Sequence, residues 1–193
     1  MIKIVPGKTN LEELGYSDSR FLDDGRESED SKNSFVFGSR AWEDADDTSA
    51  WVLRTEDKKL IGEIDWSFST SKGQYAEEWQ SKCNLDDNDV YLDRIDIWDK
   101  GKGYGSSALN QKHNDWKSKG KDSVTLLPSA AIFPMSYRQS PTAKFFRSDG
   151  HVKTDQKRLV DWYKRQGYEK SNKCEHKPNC DNDLSCYLTK TLF

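Results

Sequence analysis

The 193-residue chain lacks several things, and each absence narrows what it is. No apolar run approaches the length of a membrane span, so no spanning helix is expected. There is no basic surplus: 30 Lys and Arg face 33 Asp and Glu, for a formal net charge of -3 and a pI near 5.7. Domains that grip a nucleic-acid duplex carry such a surplus, so nucleic acid is a disfavoured partner. The opening "MIKIVPGKTN" has neither the basic start nor the apolar core of a signal peptide. The four cysteines follow no secreted framework, since Cys83 stands alone and Cys174, Cys180 and Cys186 crowd one end. A reducing, cytoplasmic setting is the expectation. No internal repeat is present.

Apolar residues are scarce too, at 34 % against 33 % charged, and the mean hydropathy is -0.97. Aromatic bulk offsets this, with 7 Trp, 8 Tyr and 8 Phe to bury. The length suits one domain, 1–193, with long polar loops. "MIKIV" reads as an opening strand, and short helices are expected around Leu11–Gly15 and Phe35–Trp42. Two β-rich runs, Ala50–Thr55 and Lys59–Phe68, flank the turn "EDKK" as a hairpin. A polar insertion, 69–89, carries a short helix near Tyr75–Lys82, and Val90–Trp98 is the next strand. A helix then runs to about Lys119 with Ala108, Leu109, His113 and Trp116 as its apolar stripe. "SVTLLP" is a short strand stopped by Pro128, followed by a loop to about Thr154. "DQKRLVDWYKRQG" is a helix with Leu159, Val160 and Tyr163 on one side and Gly167 as its stop, and two strands close the chain.

Between the strand Val90–Trp98 and the helix after it lies "DIWDKGKGYGSSAL", with Gly101, Gly103 and Gly105 inside five residues. Strand, glycine turn and helix N-terminus are a physical device for holding phosphate: free N–H groups line a concavity, the helix dipole adds positive charge, and no Cβ blocks the approach. Lys100 and Lys102 add charge at the rim. A nucleotide P-loop needs Lys-Ser/Thr after the last glycine, which "GKGYGSS" lacks. A dinucleotide fold needs G-x-G-x-x-G at its first strand, and here the turn falls mid-chain with G-x-G-x-G spacing.

"KGKGYG" (Lys100–Gly105) resembles the acetyl-coenzyme A pyrophosphate loop, Q/R-x-x-G-x-G/A, of the GCN5-related N-acetyltransferase (GNAT) superfamily, with Lys100 in the leading position. "LVDWYKRQGYEK" (Leu159–Lys170) resembles the same family's Tyr helix, through Tyr163, Gly167 and Tyr168. The order of elements from Ala50 to Phe193 agrees, with Gly62 in the hairpin and Met1–Val5 as first strand. The resemblance implies an α/β GNAT fold: a mixed, mostly antiparallel central sheet of six to seven strands flanked by helices, with 128–155 as an insertion. If Ile97 ends the strand, the link to Lys100 is two residues shorter than usual; if Ile95 is the equivalent position, nothing is missing.

The implied activity is acetyl transfer from acetyl-CoA to a primary amine by direct attack in a ternary complex. The backbone of Ile95, Asp96, Ile97, Lys100, Gly101, Lys102, Gly103, Tyr104, Gly105 and Ser106 would hold the co-substrate. Tyr163 would protonate the leaving thiolate; alone, it would read as a packing residue beside Leu159. For the base that strips the amine, Asp93 and Glu63 lead among the in-sheet carboxylates Glu63, Asp65, Asp93 and Asp96. Strict alternation puts Tyr91, Asp93, Ile95 and Ile97 on one face of the strand and Leu92, Arg94, Asp96 and Trp98 on the other. The plainer reading of Asp93 is a structural ion pair with Arg94 or a neighbouring strand.

"CEHKPNCDNDLSC" offers Cys174, His176, Cys180 and Cys186 as zinc-type ligands, but without a tight C-x-x-C knuckle. A hairpin loop with free thiols and no metal is the expectation. The acidic runs Glu27–Asp30, Glu43–Asp47 and Asp86–Asp89 read as solvated loops or as a lure for a cationic amine, small-molecule or peptide. Two other functions compete: a CoA- or partner-binding protein without turnover, and an enzyme modifying a nucleic-acid base through the basic stretches Tyr137–Arg147 and Lys157–Gln166. A monomer or homodimer is expected, without membrane attachment.

Overall fold

The computed structural model describes residues 1–18, 48–71, 74–97, 99, 101–128, 149–176, 178–180 and 186–193. Its strands are β1 (Ile2–Pro6), β2 (Ser17–Asp18), β3 (Ser49–Arg54), β4 (Lys59–Ser67), β5 (Asp89–Ile97), β6 (Ser123–Leu126), β7 (Glu169–Lys170) and β8 (Leu188–Thr191). The helices are α1 (Gln74–Gln80), α2 (Tyr104–Ser118) and α3 (Asp149–Arg165). All strands join one mixed sheet in the order β1-β3-β4-β5-β6-β8-β7, with β2 parallel beside the start of β4. On that path every pairing is antiparallel except β5 with β6. The expected mixed, mostly antiparallel α/β sheet is the one found.

Alternation divides the sheet between two clusters. Ile64, Trp66 and Leu92 face the α2 side, where they pack with Ala108, Leu109, Trp116 and Tyr163. The whole expected stripe of α2 is buried, and Lys112 is buried with it. Lys112 manages this by laying its stem on the aromatics: Nζ is 3.8 Å from the Trp66 ring centre and 2.7 Å from Asp115 Oδ2. On the other face Trp79 of α1 stacks on Tyr91 with centroids 4.9 Å apart, beside Cys83, Cys174 and Tyr187.

Several expectations need correcting. The stretch Leu11–Gly15 is a run of turns, not a helix. Asn10 Oδ1 accepts from the N–H of Glu12 and Glu13, and Gly15 turns left-handed at φ 71°, so the segment closes before a helix can propagate. Helix α3 starts at Asp149, inside the expected loop. Of the acidic run Asp86–Asp89, Asp89 is not solvated: it is buried, accepting from Ser123 Oγ and Lys173 Nζ at 2.5 Å each. Burial alone would raise its carboxyl, but those two donors hold it below the usual carboxylate range. The helix expected at Phe35–Trp42 and the runs Glu27–Asp30 and Glu43–Asp47 lie outside the described residues.

The cysteine reading is overturned. No thiol is free, because Cys83 is bonded to Cys174 and Cys180 to Cys186. The first pair joins positions 91 residues apart, which the sheet brings together through an isolated antiparallel bridge. Among the described residues no helix is long and apolar enough to cross a membrane.

Candidate active site

The chain enters the site on β5, which Gly62 allows to lie close against β4. A Cβ at Gly62 would collide with the Asp96 carbonyl and the Ile97 side chain. Ile95 and Ile97 pack, half-buried, on the α2 side of the core. The parallel ladder to β6 covers Asp89–Tyr91 only. From Leu92 to Ile97, no described strand pairs with that edge of β5. This edge of β5, with no described strand beside it, leads directly into the glycine turn.

In the turn, Gly101 and Gly103 take φ of 81° and 76°. Other residues adopt that conformation at a cost of roughly 1–2 kcal/mol. A Cβ built on either would meet nothing within 4 Å. The glycines thus answer a backbone demand, and no described side chain fills the space beside them. Gly103 is the N-cap of α2 and makes no side-chain cap, so among the described residues no cap answers the first-turn N–H groups or the positive end of the helix dipole. Gly105 is different: a Cβ there would touch Trp162 and Ile97 at ordinary contact, 3.5 and 3.7 Å.

The charge at the rim is more balanced than expected. Lys102 is exposed but paired with Asp99 at 3.0 Å, and Asp99 also takes the Arg54 guanidinium. Lys100 and Trp98 lie outside the described residues. The Ser106 hydroxyl accepts from Trp162 Nε1 at 3.0 Å and Gln166 Nε2 at 3.2 Å, which ties the start of α2 to the helix bearing Tyr163. Asp99, Trp162 and Gln166 went unread in the sequence, and no local pattern marks them.

The strand faces need a second correction. Asp65 sits opposite Arg94 and Trp66 opposite Leu92, so Asp93 is the extra residue of a β-bulge. The bulge breaks alternation and turns Asp93 away from the Ile95 face. Its carboxylate accepts from Ser67 and feels the charge of Asp65, both on the face opposite α2. Ser67 Oγ in turn accepts from Trp79 Nε1 at 3.0 Å, leaving its own hydrogen for Asp93.

Four carboxylates, Glu63, Asp65, Asp93 and Asp96, thus act on one guanidinium, and two of them touch it. Arg94 Nη2 lies 2.8 Å from Glu63 and 2.7 Å from Asp65, and Nε donates to Asp65 at 2.8 Å. Burial raises the Asp65 carboxyl against the pull of Arg94. Asp93 is pushed up to about 7, by burial first and by Asp65 as well, against its Ser67 bond and Arg94. Glu63 and Asp65 are committed to Arg94. Asp93 is the member poised to exchange a proton near neutrality.

Tyr163 is buried, with only 6 % exposed, and its ring packs edge-on against Trp162 and Tyr168 at 4.7 and 5.4 Å between centroids. Burial holds its hydroxyl well above the ordinary phenol value, so it keeps its proton at neutral pH. Tyr168 behind it meets His113 Nε2 at 2.8 Å. Burial, aided by Lys190, pushes His113 down to about 3, so this wall is uncharged.

No protein-family model matches the chain, and comparison with curated protein sequences gave no match. Among solved structures, the chain is similar to the PaiA N-acetyltransferase of Thermoplasma acidophilum at 14 % identity, covering 99 % of each chain with a TM-score of 0.46. It is also similar to the GNAT-family N-acetyltransferase YhbS of Escherichia coli at 12 % identity, covering 75 % of this chain and 58 % of that one, with a TM-score of 0.42. Both were solved with coenzyme A bound.

Proposed function

We propose that the chain is a GNAT-fold N-acetyltransferase, one domain over 1–193, that moves the acetyl group of acetyl-CoA directly to a primary amine. The observation that carries this reading is the unit formed by β5, the glycine turn and α2. A strand edge without a described partner runs into two left-handed glycines beside open space, at the uncapped start of a helix. A pyrophosphate fits there: it needs several converging N–H groups, a positive dipole end and room for its oxygens.

The backbone from Gly101 to Ser106 would hold the phosphates, and the edge of β5 beyond the β6 ladder, at Ile95–Ile97, would align the pantetheine arm by strand-like hydrogen bonds. Acetyl-CoA supplies the activated acyl group; the chain supplies proton transfers and alignment. An amine attacks only when neutral, and Asp93, with its carboxyl near neutrality, would take that proton. Arg94 would hold Glu63 and Asp65 in place beside it through its ion pairs. Tyr163, which packs on the α2 face while Asp93 lies on the other, would return a proton to the departing sulphur from the opposite side of the β5 edge. The acceptor is a cationic amine, because the four carboxylates Glu63, Asp65, Asp93 and Asp96 share a face with Arg94 and outnumber it. Two disulfides weigh against the reducing compartment expected from the sequence.

Binding tests the site. Acetyl-CoA at roughly a hundred times its Kd should raise Tm by about 5–10 °C. Gly103→Val should lose that response, since its side chain enters the open space, at a stability cost of about 1–2 kcal/mol from the left-handed backbone. An undiminished acetyl-CoA shift in a folded Gly103→Val protein would place the phosphates elsewhere.

A further inference from the structure

The segment between β7 and β8 holds a group of side chains that acetyl transfer does not use. His176, Cys180 and Cys186 each bring one ligand atom within 4.8 Å of the others. Cys180 and Cys186 are buried, at 1 % and 7 % exposed, and are joined as a disulfide. His176 Nε2 lies 2.6 Å from the Ser171 carbonyl oxygen. A carbonyl only accepts, so Nε2 carries the hydrogen and the lone pair is on Nδ1. Nδ1 is buried and has no hydrogen-bond partner among the described residues. An imidazole fixed in one tautomer by a backbone carbonyl, with its other nitrogen left as an unanswered base, is prepared as metal-ligating imidazoles are.

We propose that this loop is a redox-gated metal site: once Cys180 and Cys186 are reduced, their two thiolates and His176 bind one zinc-type divalent ion. A nitrogen and two sulphurs are a donor set that suits zinc among the common divalent ions. Tetrahedral zinc with bonds of about 2.3 Å to sulphur needs ligand atoms roughly 3.8 Å apart. Three atoms already within 4.8 Å reach that spacing once the sulphur–sulphur bond opens, with shifts of about an ångström. Cys174, a fourth ligand in the sequence reading, is bonded to Cys83 and stands outside the group.

The chemistry balances in two steps. A cellular dithiol gives two electrons and two protons to the Cys180–Cys186 bond, becoming a disulfide itself and leaving two thiols. Zinc binding then releases both thiol protons, and water completes the fourth position. The same loop is closed by a covalent bond in an oxidising setting and by a metal in a reducing one.

The test uses the full chain, fully reduced with a phosphine or left oxidised, each incubated with Zn²⁺ alone and desalted. Elemental analysis should find one zinc per reduced chain and none per oxidised chain. Co²⁺ in place of Zn²⁺ should give a thiolate-to-metal charge-transfer band in the reduced protein only. His176→Gln should weaken binding by at least about 10–100-fold. Cys180→Ser should abolish the charge-transfer band seen with both sulphurs present, and the Cys83→Ser, Cys174→Ser double variant should bind like the parent. Reduced protein that retains no zinc overturns the proposal, as does equal retention by reduced and oxidised protein. That comparison needs no variant, so misfolding of a mutant cannot rescue the idea.

Discussion

Asp93→Asn should lower turnover by about 10²–10⁴-fold, the usual worth of a positioned base, and should erase the pH dependence that the parent shows. With the Asp93 carboxyl near 7, the parent's kcat/KM should rise as pH passes through about 7 and level off above it. The same substitution should stabilise the fold at alkaline pH. The folded protein holds this proton more tightly than the unfolded chain, so the contribution of Asp93 is most favourable below the ordinary carboxylate value of 3.8 and is lost as pH rises through about 7. Above that, the buried charge costs up to roughly 4 kcal/mol, which an uncharged amide avoids. Asn should therefore raise Tm at pH 8 and change it little at pH 4. A slower enzyme that is also more stable is hard to explain by misfolding. If Asp93→Asn leaves the pH–rate curve unchanged, the base is another group; if it destabilises the protein at pH 8, the carboxylate is a structural partner of the sheet.

Tyr163→Phe should slow turnover by about 10²–10⁴-fold with little change in acetyl-CoA affinity, because in the proposed role the hydroxyl would act after attack has begun. A thiol of pKa about 8–9 leaves tolerably as thiolate, so some activity should remain. The Phe ring keeps the edge-on packing with Trp162 and Tyr168, and no described residue hydrogen-bonds the Tyr163 hydroxyl, so stability should hold within about 1 kcal/mol. Steady-state kinetics with chemistry rate-limiting decides the matter. Unchanged kcat would return Tyr163 to the packing role its burial also fits.

Local patterns carried much of the fold. Alternation drew the β3–β4 hairpin, three- and four-residue spacing drew α2, and the glycine cluster marked the turn that the backbone places in left-handed conformations. The β-bulge was hidden, because an extra residue in one strand is defined by its neighbour and leaves no period of its own. It moved Asp93 across the sheet and joined it to Ser67 and Asp65. Arg94 stood in view among the carboxylates, but its commitment to Glu63 and Asp65 depends on the β4–β5 register. The disulfides were hidden for a like reason: Cys83 and Cys174, 91 positions apart, meet only because the sheet brings them together. The Ser106 contacts with Trp162 and Gln166 again join distant helices and have no local signature.

The central claim, acetyl transfer to a cationic amine, is tested most directly by purified protein with acetyl-CoA and a panel of polyamines, aminoglycosides, lysine peptides and free N-termini, scored for thiol release. At least one cationic amine should release coenzyme A stoichiometrically with its own acetylation, and neutral or anionic amines should not. Tight binding of acetyl-CoA with no amine-dependent thiol release across the panel would contradict the claim and leave a CoA-binding protein without turnover.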